Sequence, residues 1–476
     1  MFGVAHLELP ARDGLKGCFV DTSRTTITVQ SERAVLAAVR LPGAAYDQAD
    51  PFGELAALAE QAGALVVGTI DQHRERPQAG THMGKGKVEQ LRDLCEQLDA
   101  SLVIFDHELS PAQLGNIEKV VERKIVDRSE LILDIFAARA TSREAKLQVE
   151  LAQLEYTYPR LRAMWSHLER IAGGAPVGIG TRGPGEQQLE IDRRIVRAKL
   201  RNLRRDLAEI QARKSREVRK RNREHTTVGL VGYTNAGKST LFNTLTAGGA
   251  YADDRLFATL ISRTRQWNLG AGLSVMLSDT VGFVRDLPHN LIASFKATLE
   301  EATHADLLLI ILDVADPAAE LHFQTVQRTL DDLFEEVTRA EPDGWTPPER
   351  IVLLNKADLL SDNHELLIWG QRAPGAIAIS SLPDAEGVHA IGAAELLERV
   401  RSVVVGDEEE FRITVPLSDS RTIHAIENRG QVLERTYSGR EVTLLARLGR
   451  RQLELLRSSG ARLRVESAEP AGGLRP

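Results

Sequence analysis

The chain has 476 residues, 42% apolar and 27% charged, which is the composition of a globular protein with more than one core and excludes a disordered or fibrous class. Its formal net charge of -7 gives no general nucleic-acid signal, so any such partner must be met by a local patch. Two cysteines, Cys18 and Cys95, exclude a disulfide framework and match no zinc spacing, and the longest apolar run, "LLLIILDVA" from Leu307, is too short to span a bilayer.

Residues 1–30 show no clear period and read as an N-terminal arm, disordered in this reading. The start, "MFGVAHLELPARD", lacks the basic and apolar regions of a signal peptide, so a reducing, cytoplasmic setting without membrane insertion is expected. From Ser31 a strand–helix rhythm begins: "AVLAAVRL" as strand, "PFGELAALAEQ" as helix, "ALVVGTI" as strand, a helix from about Val88, the strand "SLVIFD", and a helix after "SPAQLG". This predicts a small α/β domain over 31–135. Within it, "GKGK" (Gly84–Lys87) stands at a helix start, where Lys85 and Lys87 could hold a phosphate; a solvent-exposed turn is the plainer alternative.

Residues 136–225 change period. Leu147, Leu151, Leu154, Tyr158, Leu161, Trp165 and Leu168 form one helical stripe, with Pro159 inside it as an expected kink. The stripe resumes at Val196, Leu200, Leu203, Leu207 and Ile210. Two stripes joined by a turn predict an antiparallel helical hairpin, and its tip is the glycine-rich loop 171–186 within "RIAGGAPVGIGTRGPGEQQLEIDRR". Residues 192–224 carry 14 Lys/Arg against 5 Asp/Glu. Such a run is either a solvated face or a track for a phosphate backbone, with Arg201, Arg204 and Arg205 as candidate contacts.

Residues 226–404 return to α/β alternation and carry the chemistry. "GYTNAGKS" follows an apolar strand and precedes a helix, the context of a P-loop. The backbone of Gly232, Tyr233, Thr234, Asn235, Ala236 and Gly237 would wrap phosphate oxygens, Lys238 would reach the β- and γ-phosphates, Ser239 would ligate magnesium, and Thr240 would follow in the helix. "DTVG" ends the next strand. Asp279 would hold magnesium through water, Thr280 and Val281 would line the site, and Gly282 would bring its N–H close to a γ-phosphate. "NKAD" (Asn355, Lys356, Ala357, Asp358) selects the base: the Asp358 carboxylate accepts from two N–H groups of guanine, a pair that adenine lacks, which can discriminate by about 10⁴-fold. "ISS", through Ser380 and Ser381, with Leu382 after it, would back the base. These four motifs in this order point to a GTPase. The position after Gly282, where a water-orienting glutamine is common, holds Phe283, so water must be positioned by another group and turnover is expected to be slow. Asn235 resembles the asparagine of potassium-activated GTPases; a loop-stabilising amide is the alternative.

From Phe411, short strand-like runs and a turn at "ENRG" predict a small α+β domain over 405–457, with 458–476 as a tail. The fold class is therefore α/β multidomain: N-terminal α/β domain, antiparallel helical hairpin, P-loop GTPase domain and small C-terminal α+β domain.

The whole pattern resembles the HflX-type GTPases over about residues 31–450. The likeness rests on "HMGKGKVEQL", "GTRGPGEQQLEIDRR", "GYTNAGKSTLFNTLT", "FATL" and "DTVGFVRDLPHNLIASFKATLEEA". The resemblance implies that Phe257, Ala258, Thr259, Leu260 and Ile261 belong to the nucleotide site, with Thr259 as the magnesium-ligating switch threonine and, beside Lys238 and Gly282, part of the catalytic set. Where the family continues with an Asp-Pro-Thr stretch, this chain reads "ISRT", Ile261–Thr264. The resemblance further implies a monomer that binds the large ribosomal subunit and its RNA and splits or rescues ribosomes under stress. The hairpin tip, with Arg182 on phosphate, would then enter a narrow RNA cavity. Two readings of another class stay open: a regulatory or scaffold GTPase whose hairpin binds a protein, and an RNA-remodelling enzyme using the first domain.

Overall fold

The computed structural model describes residues 32–43, 46–172, 184–246, 262–270, 273–285, 301–340, 345–360, 362, 364–382, 391–406, 408–458 and 463–467. The arm 1–30, Arg182 with most of the hairpin tip, and Phe257–Ile261 lie outside the described residues.

Strands β1 (Arg33–Arg40), β2 (Leu65–His73), β3 (Leu102–Phe105) and β4 (Lys124–Asp127) form a parallel sheet in the order β2-β1-β3-β4. β1 is buried almost throughout, because helices cover both of its faces and no polar alternation is needed. Ala34 and Leu36 face α1 (Gly53–Gln61) and α4 (Arg128–Arg139), while Val35, Ala37 and Val39 face α2 (Lys85–Gln97) and α3 (Pro111–Val121). The first of these cores does not stop at the sheet. It runs on through Tyr156 into Val231, Tyr233, Phe283, Leu308 and Phe334 of the second sheet's domain.

The hairpin consists of α5 (Arg143–Ala172) and α6 (Pro184–Glu224). Helix α5 continues unbroken through Pro159. Leu151, Leu200, Leu203 and Leu207 form its seam, with Leu147, Leu154, Tyr158 and Val196 packed alongside, as the stripes predict. Ion pairs Glu144–Lys214 and Glu155–Arg204 and the bond from Arg197 Nε to the Tyr158 hydroxyl run in opposite chain directions, so the helices are antiparallel. The side chains of Leu161, Trp165 and Leu168 are outside those described.

Asp127 pins the hairpin to the first sheet. Its buried carboxylate caps α4 through the Glu130 N–H at 2.9 Å. It also accepts from the Leu109 N–H at 3.0 Å, Arg160 at 2.7 Å and the Tyr156 hydroxyl.

The second sheet has the order β10-β9-β8-β5-β7-β6. Its strands are β5 (Thr227–Gly232), β6 (Arg263–Gly270), β7 (Leu273–Asp279), β8 (Leu307–Asp313), β9 (Glu349–Asn355) and β10 (Ile377–Ala378). All pair in parallel except β6, which runs antiparallel to β7. Described helices here are α7 (Lys238–Leu245), α8 (Ala319–Ala340), α9 (His364–Arg372) and α10 (Ala393–Val405). β6 escapes a sequence reading because only Trp267 and Leu269 of its eight residues are buried.

The last unit is an antiparallel sheet, β12-β13-β11-β14, with two helices. Its elements are β11 (Glu408–Pro416), α11 (Ser420–Arg429), β12 (Gln431–Ser438), β13 (Glu441–Gly449), α12 (Arg450–Ser458) and β14 (Arg464–Ser467). Two expectations are corrected. "ENRG" closes helix α11, which Asp419 caps through the Thr422 N–H at 3.2 Å, and is not a turn between strands. The segment read as a tail contains β14, and Leu463 just before it and Val465 within it pack onto the core beside β11. Among the described residues no helix is long and apolar enough to cross a membrane.

Beside Asp127 the interior holds further acid. Burial, then the Asp127 and Asp134 charges, push the Glu130 carboxyl up to about 8, and burial pushes that of Asp134 up to about 7. A raised carboxyl pKa favours the folded state at low pH, and that contribution is lost as pH rises through the folded value. Urea unfolding should therefore show the fold losing stability between pH 5 and about 8, and Glu130→Gln should flatten this slope. A parent-like slope in the variant would refute the assignment.

Candidate functional site

The carboxyl ends of β5, β7, β8 and β9 meet on one side of the second sheet, where ligands bind in open parallel sheets. The loop from Gly232 to Ser239 leaves β5 there and enters α7. Gly237 has φ +94°, and a Cβ on it would lie 2.2 Å from Asn355 Nδ2, so both conformation and space require glycine. Asn235 also has positive φ, +60°, and is exposed.

Lys238 is buried, and its Nζ donates to the carbonyls of Tyr233 at 2.6 Å and Gly232 at 3.2 Å. Ser239 Oγ donates to Asp279 Oδ2 at 2.7 Å, and the Asp279 side chain is fully buried. Two hard oxygen donors thus converge beside the phosphate loop, which fits a magnesium site completed by phosphate and water. A Cβ on Gly282 would lie 2.9 Å from Thr234 Cα and 3.0 Å from Lys238 Nζ, so the backbone at Gly282 is laid directly on the loop. Phe283 locks it there: its N–H donates to Gly232 O at 3.0 Å, and its carbonyl accepts from the Thr234 N–H at 2.7 Å.

Asn355 ties three motifs together. Its Nδ2 donates to Ala236 O at 2.7 Å, and its Oδ1 accepts from Ser381 N at 3.0 Å and Ser381 Oγ at 2.8 Å. Lys356, at φ +61°, pairs with Asp313 at 2.5 Å, and the Ala357 N–H donates to Ile379 O at 3.2 Å. The chain then presents Asp358 to solvent. Ser380 Oγ donates to Leu382 O at 3.4 Å, and the Leu382 side chain is exposed beside it. Thr240 is half-buried in the first turn of α7.

Three side chains of these motifs face away from the loop. The Thr280 hydroxyl donates to Leu230 O at 2.6 Å, and Val281 packs in the core, so neither side chain is available to a ligand. The Tyr233 ring stacks on His322 at 3.8 Å and sends its hydroxyl to Glu54 in the first domain. Phe283 is 2% exposed in that same core and is unable to meet water. The "ISRT" departure has a local role: Ser262 Oγ donates to Glu301 at 2.6 Å, and Thr264 Oγ1 reaches Ser278 at 3.0 Å. Of the expected RNA contacts, Lys85 and Arg201 are exposed and Lys87 is half-buried; Arg204 is paired with Glu155 and Arg205 with Asp206. Exposed pairs of this kind contribute at most about 1 kcal/mol, so they do not stop an arginine from turning to a phosphate.

Sequence reading missed Glu54, Asp106, Arg128 and Arg285, which surround the second loop residue and the segment after Gly282. Glu54, Asp106 and Arg128 lie in three separate stretches without a nucleotide motif and Arg285 in the segment after "DTVG", so no local spacing announces them as a set.

Comparison with known proteins matches three family models in chain order. They are "GTP-binding GTPase N-terminal" over residues 49–137, "GTP-binding GTPase Middle Region" over 139–223 and "50S ribosome-binding GTPase" over 227–356. The GTPase HflX of Caldanaerobacter subterraneus is 39% identical over 87% of this chain and 90% of its own. The chain belongs to the HflX family of GTPases. The GTPase HflX of Magnetococcus marinus is 38% identical over 90% of this chain and 96% of its own, and that of Escherichia coli 43% identical over 65% and 70%. The crystal structure of a GTP-binding protein from Sulfolobus solfataricus in complex with GDP aligns at 22% identity and TM-score 0.38, over 78% of this chain and 98% of that one.

Burial lowers the Lys238 ammonium to about 8, against the opposing pull of Asp279. An anionic phosphate raises it again, so above pH 8 nucleotide binding must take up a proton. GDP affinity measured by calorimetry should hold from pH 6.5 to 7.5 and fall by up to about tenfold per unit above 8. A pH-independent affinity up to pH 9.5 would contradict this.

Proposed function

We propose that this HflX-family chain is a slow GTPase that binds the large ribosomal subunit and uses its switch to split or rescue ribosomes, under stress. The observation that carries the nucleotide half is Asn355, which holds the phosphate loop and the Ser381 loop together while the next residues leave the Asp358 carboxylate open to solvent. A carboxylate at that place would accept two N–H groups of guanine. The loop N–H groups and Lys238 would hold the phosphates, and Gly282 would offer its N–H to the γ-phosphate. Ser239, Thr259 and, through water, Asp279 would hold magnesium, which when bound neutralises charge between the β- and γ-phosphates. Lys238, Thr259 and Gly282 are the proposed catalytic set. With Phe283 in the core, intrinsic turnover is expected on the order of 10⁻⁴–10⁻² s⁻¹. Potassium at the exposed Asn235 is part of the proposal, and equal rates in sodium and potassium would remove it.

Support for the ribosomal half is the match to "50S ribosome-binding GTPase" and the basic helix α6, which a phosphate backbone would complement. The protein would act as a cytoplasmic monomer, with the hairpin tip and Arg182 entering an RNA cavity and Lys85 and Lys87 as further contacts. Units at 31–135, 136–225, 226–404 and 405 onward would divide the labour, the last one extended to Ser467 by β14.

Asp358→Asn should weaken GDP by roughly 100-fold or more and partly admit xanthine nucleotides; parent-like GDP affinity by calorimetry would sink the base assignment. Isolated large subunits should co-sediment with the protein in a non-hydrolysable GTP analogue and raise its turnover. Alanine at Arg201, Arg204 and Arg205 should flatten the salt dependence of that binding. Deleting residues 173–186 should spare GDP affinity and abolish splitting; intact splitting would make the loop a mere connector.

A further inference from the structure

The chain after β8 carries none of the four nucleotide motifs, yet it reaches the phosphate loop. His322 stands in the first turn of α8, its ring stacked on Tyr233 with centroids 3.8 Å apart and planes 16° from parallel. Its Nδ1 lies 3.7 Å from Asp316 Oδ2. The other Asp316 oxygen accepts the Ala318 N–H at 2.8 Å, so the carboxylate that aims the ring is itself fixed. The His322 side chain is 13% exposed. Burial lowers its pKa against the pull of Asp316, Glu54 and Asp313, so the ring is neutral at pH 7 and meets Tyr233 as one aromatic face on another.

Tyr233 is the second residue of the phosphate loop, and its carbonyl is the nearer acceptor for Lys238: 2.6 Å from Nζ, against 3.2 Å for the Gly232 carbonyl. A short bond to a fixed acceptor decides where a buried ammonium points its remaining donors. The phosphate-loop pattern leaves position 233 free, so a large ring there needs a reason of its own. The hydroxyl bond to Glu54 holds that ring at its tip and leaves it free to swing about that point; the face on His322 removes the freedom. Contacts thus run from Asp316 to His322, Tyr233 and Lys238, all inside the GTPase unit.

Resting on the GTPase reading above, we propose that His322 is a positioning residue of the GTP site: through the face of Tyr233 it sets the carbonyl that aims Lys238 at the β- and γ-phosphates. Lys238 counts most where charge builds up in the transition state, so its aim bears on turnover more than on the binding of GDP. Tenfold in turnover corresponds to about 1.4 kcal/mol, within the reach of one aromatic stack.

The test uses the full chain and compares His322→Leu and His322→Gln, which lose the aromatic face, with His322→Phe, which keeps it. Turnover of GTP should fall about fivefold to tenfold in the first two, with Kd for GDP within about threefold of the parent. His322→Phe should return turnover to within about twofold of the parent. In a double-mutant cycle with Tyr233→Leu, the two losses should not add. If His322→Leu does not fold, His322→Gln decides, because it keeps a polar group beside Asp316. Parent-like turnover without the aromatic face, an equal loss in His322→Phe, or additive losses in the cycle overturns the proposal. A parent that neither binds nor hydrolyses GTP would instead overturn the GTPase reading.

Discussion

The buried carboxylate of Asp106 is the constraint on which the arrangement of the first and second sheets depends. Three guanidinium groups face it: Arg40 at 3.0 Å, Arg128 at 2.9 Å and Arg285 at 3.0 Å. Burial opposes its ionisation, but Arg128, then Arg285, His107 and Arg40, hold the carboxyl below its ordinary range. Glu54 adds a second anion, 2.7 Å from Arg128. Such a cluster is costly to desolvate and is a weak source of net stability, yet removing one member leaves the others uncompensated in the interior, at about 3–5 kcal/mol. Its effect is to fix register. The apolar core between the two sheets could slide, whereas interlocked guanidiniums and carboxylates cannot.

The same junction holds the segment after Gly282, where Phe283 stands in place of a glutamine. Phe283 gives up any contact with water and anchors its backbone to the phosphate loop from within the shared core. Tyr233, which the motif leaves variable, becomes a strut: burial and the Glu54 charge raise its pKa, so the phenol stays protonated and donates. Positioning of the Gly282 segment is thereby moved from a single polar side chain to a packed interface. Bracing of this kind accords with the slow, partner-responsive turnover proposed for the site.

Legibility in the sequence followed contiguity. The phosphate loop, "DTVG", "NKAD" and "ISS" each occupy a few consecutive residues whose spacing is dictated by a nucleotide, and the structure brings Asn355, Ala236 and Ser381 together. The hairpin was legible because a stripe of leucines has one partner geometry. Strand β6 was not, since most of its side chains face solvent. Helix α11 was masked by the Asn-Arg-Gly end that resembles a turn, and β14 by its shortness. The charged junction was illegible for a different reason: Arg40, Glu54, Asp106, Arg128 and Arg285 are assembled only by the tertiary fold.

The central claim is that the charged junction links the first domain, through Arg285, to the segment that follows Gly282. Hydrogen exchange over Gly53–Gln61, compared between GDP and a non-hydrolysable GTP analogue, tests it most directly. The account predicts that protection of this helix differs between the two nucleotides in the parent and that the difference disappears in Arg285→Gln. Equal protection in both nucleotides, with residues 232–239 clearly protected by each, would contradict it.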